Sequence, residues 1–184
     1  MGDQTGTGQR TFPEFHAVEY TDRKGDRVVI REYNHLKDRE RLIKMYESFT
    51  PENRCLGLPP STRIGIEKWI DYLAEDGFSI IAEIKGNLVG HCSIVPAEDP
   101  GIADLSIFVH QNYQDRGIGQ RMLREMIEYC RKAGFHGITL VTERTNKRAI
   151  HVYRKMGFSI VNPEFEYDLY LPLRQKSKNI VHQN

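Results

Sequence analysis

Residues 114–121 have the composition of an anion-binding loop. They read Gln-Asp-Arg-Gly-Ile-Gly-Gln-Arg and join a predicted strand to a predicted amphipathic helix. A helix N-terminus carries unpaired backbone N–H groups and a positive dipole end, which favour a phosphate group. Gly117 and Gly119 lack Cβ atoms, so an anion can approach the backbone closely. Arg116 and Arg121 add positive charge, and we expect a phosphate-bearing ligand at this loop.

Two common phosphate-binding patterns do not match this loop. A P-loop requires Gly-Lys followed by Ser or Thr, and no such ending follows Gly119. A dinucleotide fingerprint requires a third glycine where Met122 stands. From the residues alone, an acyl-CoA loop and a pair of glycines that serve helix packing both remain open.

A second segment favours the acyl-CoA interpretation. Residues 114–119 match the Gln/Arg-x-x-Gly-x-Gly/Ala pattern of the GNAT acetyltransferase superfamily. Residues 146–158 resemble the downstream pattern of that superfamily, Asn-x-x-Ala-x-x-x-Tyr-x-x-x-Gly-Phe. Each segment follows a predicted strand, in the order that the superfamily requires. The resemblance covers roughly residues 27–172, and together the two motifs are specific.

This resemblance implies an enzyme, an N-acetyltransferase with acetyl-CoA as co-substrate and no metal. The acetyl group would move to a primary amine of a protein lysine, a protein N-terminus or a small molecule, by direct transfer in a ternary complex. An acyl-CoA-binding sensor module without turnover is the alternative. A phosphate-binding interaction domain is disfavoured, because it would rest on the glycine loop alone.

The resemblance also implies which residues bind acetyl-CoA. In this superfamily the strand before the loop separates from its neighbour and presents backbone N–H groups to the pantetheine and the carbonyl oxygen. The implied cofactor-binding residues are Ile107, Phe108, Val109, Gln114, Asp115, Arg116, Gly117, Ile118, Gly119, Gln120, Asn146 and Tyr153. Tyr153 is the general acid candidate, with a core tyrosine as the structural alternative. Asn146 would serve equally as a helix N-cap.

The general base is left open by the sequence. A lysine amine has a pKa near ~10.4 and must lose a proton before attack. Ribosomal-protein alanine acetyltransferases carry a glutamate five residues before the asparagine, where this chain has Val141. Weak candidates remain, and deprotonation through ordered water is an equal alternative. These candidates are Glu83, Asp104, His91 and Glu143.

A weaker resemblance concerns the acceptor. Residues 22–31 are similar to the turn-then-strand opening of GNAT domains of the protein lysine acetyltransferase type. Residues 49–54 resemble a Ser-x-Glu-x-x-Tyr-x-Arg-Phe region of those domains, and the match fails after Asn53. An acyl-cysteine route is less favoured, because Cys92 and Cys130 fall at buried positions where a thiol stays protonated.

The hydrophobic periodicity predicts the elements that position these residues. The predicted strands and helices follow one another in the order β-β-α-α-β-β-β-α-β-α-β-β. The strands are predicted at residues 15–20, 27–33, 78–84, 88–95, 103–110, 136–142, 158–161 and 165–171, and the helices at 37–49, 61–76, 117–132 and 146–156. We expect an α/β (α+β) fold, GNAT-like, with a mixed, mostly antiparallel central sheet of about seven strands and helices on both faces.

Length and charge limit the remaining possibilities. The 184 residues include 26 basic and 25 acidic ones, a net charge of +1. Such a balance disfavours a nucleic-acid coat, and no apolar run is long enough to span a membrane. We expect a disordered N-terminal segment (1–13), one acetyltransferase domain (14–173) and a polar C-terminal tail (174–184). A polar N-terminus and three dispersed cysteines favour a cytoplasmic protein. We also expect a monomer or homodimer.

Overall fold

A computed structural model of the chain describes residues 13–173. Its strands are β1 Val18–Thr21, β2 Arg27–Glu32, β3 Phe78–Ile84, β4 Asn87–Pro96, β5 Ile102–Val109, β6 Gly137–Thr142, β7 Ser159–Asn162 and β8 Tyr167–Pro172. Its α-helices are α1 His35–Glu47, α2 Arg63–Asp76, α3 Ile118–Lys132 and α4 Lys147–Lys155. Two short 3-10 turns, Pro51–Asn53 and Gln111–Tyr113, were not predicted.

The eight strands form one mixed sheet in the order β1-β2-β3-β4-β5-β6-β8-β7. All neighbours are antiparallel except β5 and β6. The predicted fold class is confirmed, with eight strands where about seven were expected. The extra strand arises because the hairpins at both ends of the described chain join the same sheet.

Helices cover both faces of the sheet, as predicted. Successive side chains of a strand point to opposite faces. Ile80 and Ala82 therefore pack in the core beneath α3, while Ile81 between them packs against α1 and α2. The central strands β3 and β4 are buried on both faces, so they provide a rigid base for the neighbouring β5.

Some element boundaries differ from the prediction, and the two helix starts differ because of capping hydrogen bonds. The first strand begins at Val18, three residues later than expected, and Phe15 packs its ring against Phe78 and Tyr129. Helix α1 begins earlier than expected because the Asn34 side chain caps it by accepting from the Lys37 N–H. The cap of α2 is Thr62 and not the expected Ser61.

The predicted terminal segments lie outside the described residues, apart from residue 13. Within residues 13–173, no helix is long and apolar enough to cross a bilayer. The same residues contain no cluster of three or more histidine, cysteine or acidic side chains that could hold a metal ion.

Candidate active site

The cleft begins where β5 and β6 separate. Their parallel pairing extends only from Ile102 opposite Gly137 to Asp104 opposite Thr139. Beyond that point β5 continues along β4, while β6 continues along β8. The edge of β5 that faces β6 is therefore without a strand partner. A cavity of about 1010 Å³ occupies this gap.

The strand residues that were predicted to bind the cofactor line this gap. Ile107, Phe108 and Val109 all border the cavity. Ile107 and Val109 pack on the α3 side of the sheet, and Phe108 packs with α1 and α2 on the other. The cleft thus passes through the sheet, and its backbone edge can donate hydrogen bonds to a ligand carbonyl.

The glycine loop closes one end of the cleft. Gly117 has φ = +85°, a left-handed conformation that suits glycine, and it begins α3 without a side-chain cap. No hydrogen bond within the described residues satisfies the N–H groups of Ile118, Gly119 and Gln120. A Cβ on Gly119 would lie 3.3 Å from Cγ2 of Val109, so the helix and β5 meet closely here. These open amides fit a pyrophosphate.

Arg116 does not border the main cavity, but it borders a smaller pocket beside Gly117, together with Arg23 and Lys155. Its guanidinium forms ion pairs with Asp22 (3.3 Å) and Asp26 (2.8 Å) and lies over the Tyr113 ring. The side chain is only 12% exposed. Arg116 therefore fastens the β1–β2 turn to the loop, because two carboxylates already neutralise its charge.

The sequence analysis missed the cations that do face the cleft. They lie on the β1–β2 turn and on α4, and they are Arg23, Lys147, Arg148 and Lys155. Lys147 and Arg148 directly follow Asn146 in the second motif, so their charge was a usable signal. The approach of Arg23 depends on the hairpin, which no local pattern reveals.

Gln114 organises the loop through its side chain. Its Nε2 donates to the Val109 carbonyl (3.1 Å) and reaches Asn53 Oδ1 (3.4 Å), while its Oε1 accepts from Arg148. Asp115 lies 3.6 Å from the Arg148 guanidinium. These predicted cofactor residues border the cleft and position its walls.

Tyr153 projects from α4 into the cleft. The side chain is 8% exposed, and burial raises the pKa of its hydroxyl well above the ordinary value. No described residue forms a hydrogen bond with that hydroxyl. Asn146 begins α4, where its Oδ1 accepts from the Ala149 N–H (3.3 Å), and it also borders the cleft. A protonated hydroxyl that borders the cleft without a hydrogen-bond partner among the described residues can donate a proton to a ligand.

The two general-base candidates lie in different environments. Asp104 borders the cleft and is reached by water, yet the surrounding protein reduces its hydration and raises its pKa. Glu83 is outside the cleft and pairs with Arg31 (2.8 Å) and Arg41 (2.5 Å). Burial opposes the ionisation of Glu83, but the two guanidiniums outweigh it and lower the pKa. Of these two candidates, Asp104 is the one placed to accept a proton in the cleft.

The other base candidates are bound by neighbouring groups. His91 is buried outside the cleft with Nδ1 at 2.7 Å from the Tyr46 hydroxyl, and burial lowers its pKa to about 3. Glu143 borders the cleft, where its Oε1 accepts from the Leu56 N–H (2.9 Å). Glu143 thereby fastens the segment between α1 and α2 to the end of β6.

One cysteine in the cleft was overlooked. Cys92 and Cys130 are buried, as expected, and burial raises the pKa of Cys92 well above its ordinary value. Cys55 instead borders the cleft, with its sulfur 3.7 Å from the Thr142 hydroxyl oxygen. The turn-rich segment around Cys55 carries no periodicity from which its position could be predicted.

Residues 40–158 match the model of the acetyltransferase (GNAT) family. The chain belongs to this family. It is 35% identical over 94 residues to the L-amino acid N-acetyltransferase AaaT of Escherichia coli, covering 49% of this chain and 58% of AaaT. It is 34% identical over 97 residues to an uncharacterized N-acetyltransferase of Methanocaldococcus jannaschii, covering 50% and 42% of the two chains. These matches span about half the length of each relative.

A solved structure of the same fold contains the expected co-substrate. YncA of Salmonella typhimurium, solved with acetyl-CoA, superimposes with a TM-score of 0.69 over 82% of this chain and 96% of its own, at 16% identity. The resemblance to the GNAT superfamily is confirmed. The predictions of an N-acetyltransferase and of acetyl-CoA as co-substrate are confirmed at the level of the family. The resemblance to the lysine-acetylating type stays a prediction.

Proposed function

We propose that this protein is an acetyl-CoA-dependent N-acetyltransferase that acetylates a primary amine by direct transfer in a ternary complex. The observation that carries the proposal is the Tyr153 hydroxyl, which has no hydrogen-bond partner among the described residues and stays protonated because burial of its side chain raises its pKa; it borders the same cleft as the open edge of β5. When bound, acetyl-CoA supplies an acetyl group activated as a thioester.

The chain would bind and orient acetyl-CoA at two places. The uncapped amides of α3 can bind the pyrophosphate, with Arg23 and Lys155 bordering the same end of the cleft. The open edge of β5 can donate backbone hydrogen bonds to the thioester carbonyl and to the amide groups of the pantetheine arm.

Two side chains of the cleft would also take part in proton transfer. Asp104, or water beside it, takes a proton from the acceptor ammonium, and its raised pKa makes its carboxylate a stronger base. The C–N bond then forms as the C–S bond breaks, the sulfur leaves with the electron pair of that bond, and the nitrogen releases its second proton to solvent as it becomes an amide. Tyr153 gives the departing sulfur its proton and recovers one from solvent.

Direct transfer is favoured over a covalent route through Cys55. Within residues 13–173 the thiol contacts the Thr142 hydroxyl and no imidazole that could activate it. We accordingly expect Cys55→Ser to retain turnover. No disulfide joins the three cysteines within residues 13–173, which also supports a cytoplasmic location. A monomeric or homodimeric state stays a prediction.

Incubation of the purified protein with acetyl-CoA and a panel of primary amines tests this function. Acceptor-dependent release of free thiol, with the acetylated amine detected by mass spectrometry, is expected. Acetyl-CoA should also raise the melting temperature, since a hundredfold excess over Kd stabilises a folded protein by about 2.7 kcal/mol. Thermal stabilisation without thiol release for any amine would instead indicate the sensor module.

A further inference from the structure

The segment that carries Cys55 is fastened to two different walls of the cleft. On one side, Oδ1 of Asn53 accepts from Nε2 of Gln114 in the glycine loop (3.4 Å). On the other side, the Leu56 N–H donates to Oε1 of Glu143, which directly follows β6 (2.9 Å). Cys55 stands between these two contacts, so its segment crosses the space that separates the glycine loop from the end of β6.

The Cys55 thiol is the one that a ligand in the cleft can reach. Its sulfur lies 3.7 Å from the Thr142 hydroxyl oxygen, and both residues border the cavity. Cys55 is partly exposed, whereas Cys92 and Cys130 are buried. The thiolate is the form of cysteine that attacks a disulfide, and a hydroxyl at this distance can donate a hydrogen bond to it.

Tyr153 indicates independently that a ligand completes this part of the cleft. Its side chain is 8% exposed, and its hydroxyl borders the cavity without a hydrogen-bond partner among residues 13–173. The polar atoms of buried side chains generally have such a partner, which a bound ligand can supply. Cys55 and Tyr153 are close enough for a charge on the sulfur to raise the pKa of the hydroxyl. The two side chains therefore lie beside the same part of a ligand.

The proposed function identifies that part of the ligand as the sulfur of CoA. Tyr153 would protonate this sulfur after the acetyl group has left, so the free thiol of CoA would stand beside the Cys55 thiol. Binding of the rest of CoA along β5 and α3 would hold its sulfur there. Such fixation raises the effective concentration of one reacting group near another.

We propose that Cys55 is a modification site that exchanges with disulfides of CoA and retains CoA as a mixed disulfide. The inference rests on the position that the proposed function gives to CoA. The Cys55 thiolate attacks the CoA sulfur of the disulfide, so that a new S–S bond forms and the old one breaks. The departing thiolate takes the electron pair of the broken bond and the proton that Cys55 lost, and no further oxidant is needed.

The attached CoA would occupy the acetyl-CoA site and block turnover until a thiol reductant releases it. This role differs from acyl transfer through Cys55, which would need a thiolate in every turnover. A slow exchange needs only the small fraction of thiolate that an unactivated cysteine supplies near neutral pH. Cys55 is thus a site at which the redox state of CoA can switch the enzyme off.

Two matched disulfides test this inference. The mixed disulfide of CoA and glutathione, and oxidised glutathione, both release glutathione, and only the first carries a CoA half. At equal concentration and neutral pH, we expect the first to modify Cys55 at least tenfold faster, as followed by intact mass spectrometry and peptide mapping. One CoA should be attached per chain, and dithiothreitol should remove it.

A ligand without a reactive sulfur tests whether the exchange occurs in the acetyl-CoA site. Saturating desulfo-CoA, which lacks the thiol, should slow the reaction of Cys55 with the CoA–glutathione disulfide at least tenfold. Equal rates for the two disulfides, or no protection by desulfo-CoA, would overturn the inference.

Cysteine variants provide the matched controls. Cys55→Ser should carry no CoA after the same treatment and should keep its turnover in the presence of the disulfide. Cys130→Ala removes a buried thiol and should be modified at the wild-type rate. Attachment of CoA that persists in Cys55→Ser would assign the reaction to another cysteine and overturn the inference.

The failures of the two proposals are distinguishable. Turnover of an amine, without selective attachment of CoA at Cys55, overturns this inference and leaves the acetyltransferase function standing. Selective attachment at Cys55, without turnover of any amine, overturns the proposed function and keeps the CoA sulfur beside Cys55.

Discussion

The sheet carries two clusters of charged and polar side chains that differ in how their groups are satisfied. Beside β2 and β3, Asp38 and Glu83 share the guanidiniums of Arg31 and Arg41 in a closed network. In the cleft beside β5, the Asp104 carboxylate, the Tyr153 hydroxyl and the first amides of α3 have few or no partners. The first cluster stabilises the fold, whereas the second needs a ligand to complete it.

Glu83 and Asp104 illustrate the difference between the closed network and the cleft. Both are carboxylates on inner strands of the sheet, and both were base candidates on sequence grounds. The paired Glu83 has a lowered pKa and the unpaired Asp104 has a raised one. A carboxylate with two guanidinium partners is a poor proton acceptor, so the partners of a residue determine its role more than its type does.

Tyr153→Phe should produce the largest effect in the cleft. The phenyl ring keeps its packing against Phe158, but the variant has no proton to donate. We expect turnover to fall roughly 10²-fold, within the usual range for a general acid. Acetyl-CoA affinity by calorimetry and melting temperature should match those of the wild type. Turnover within threefold of wild type would return Tyr153 to the role of a core residue.

The periodic parts of the chain could be predicted from sequence. Every strand and α-helix was anticipated, because alternation and 3.6-residue spacing record which face is buried. The separation of β5 from its neighbour was predicted only because the sequence resembles the GNAT superfamily. Pairing between strands that are distant in sequence is not encoded in either segment alone.

The partners of individual site residues could not be predicted from local sequence, for a physical reason. Arg116 has the right charge in the right loop, yet Asp22 and Asp26 from a distant hairpin engage it. Cys55 and Glu52 belong to an irregular segment that tertiary contacts hold over the cleft. Local sequence identifies which groups can do chemistry, and tertiary contacts decide which of them remain free.

Asp38→Asn should produce the largest effect in the closed network. Asp38 is fully buried and bonds Arg31 through both of its oxygens, at 2.7 and 2.8 Å. The variant retains the shape but leaves the guanidiniums short of an anionic partner, a loss of about 2 kcal/mol. The melting temperature should fall by roughly 4–8 °C. Asp76→Asn, on the exposed end of α2, is the matched control and should shift it by less than a degree or two.

The difference in stability between wild type and Asp38→Asn should depend on pH, and the direction of this dependence can be stated. The Arg31 guanidinium lowers the pKa of Asp38, so the folded protein binds fewer protons there than the unfolded chain. The stabilisation is complete above the ordinary carboxyl pKa of about 4 and is lost as the pH falls through the lowered value. Wild type and Asp38→Asn should therefore converge in acid. A gap that widens on acidification would contradict this account.

Gly119→Glu should weaken acetyl-CoA binding more than tenfold, equivalent to at least about 1.4 kcal/mol. The new carboxylate would stand at the uncapped start of α3, where the pyrophosphate is expected. Gly119→Ala separates size from charge, because its Cβ must accommodate Val109 at 3.3 Å but adds no charge. The alanine variant should lose only a fraction of the affinity. Calorimetry that finds equal affinity for Gly119→Glu and wild type would exclude the loop from cofactor binding.

Asp104→Asn should produce the smallest effect, and it most directly tests the difference between the Asp104 and Glu83 carboxylates. If Asp104 accepts the proton, kcat/KM depends on two deprotonations, of the amine and of Asp104. A plot of log kcat/KM against pH should have a slope of two below the raised pKa of Asp104 and a slope of one above it. Asp104→Asn should show a slope of one throughout, with a loss of only about three- to tenfold at neutral pH because water can substitute. Glu83→Gln should keep both slopes and lower only the melting temperature, since its carboxylate serves Arg31 and Arg41. The assignment fails if Asp104→Asn retains the slope of two or if Glu83→Gln loses it.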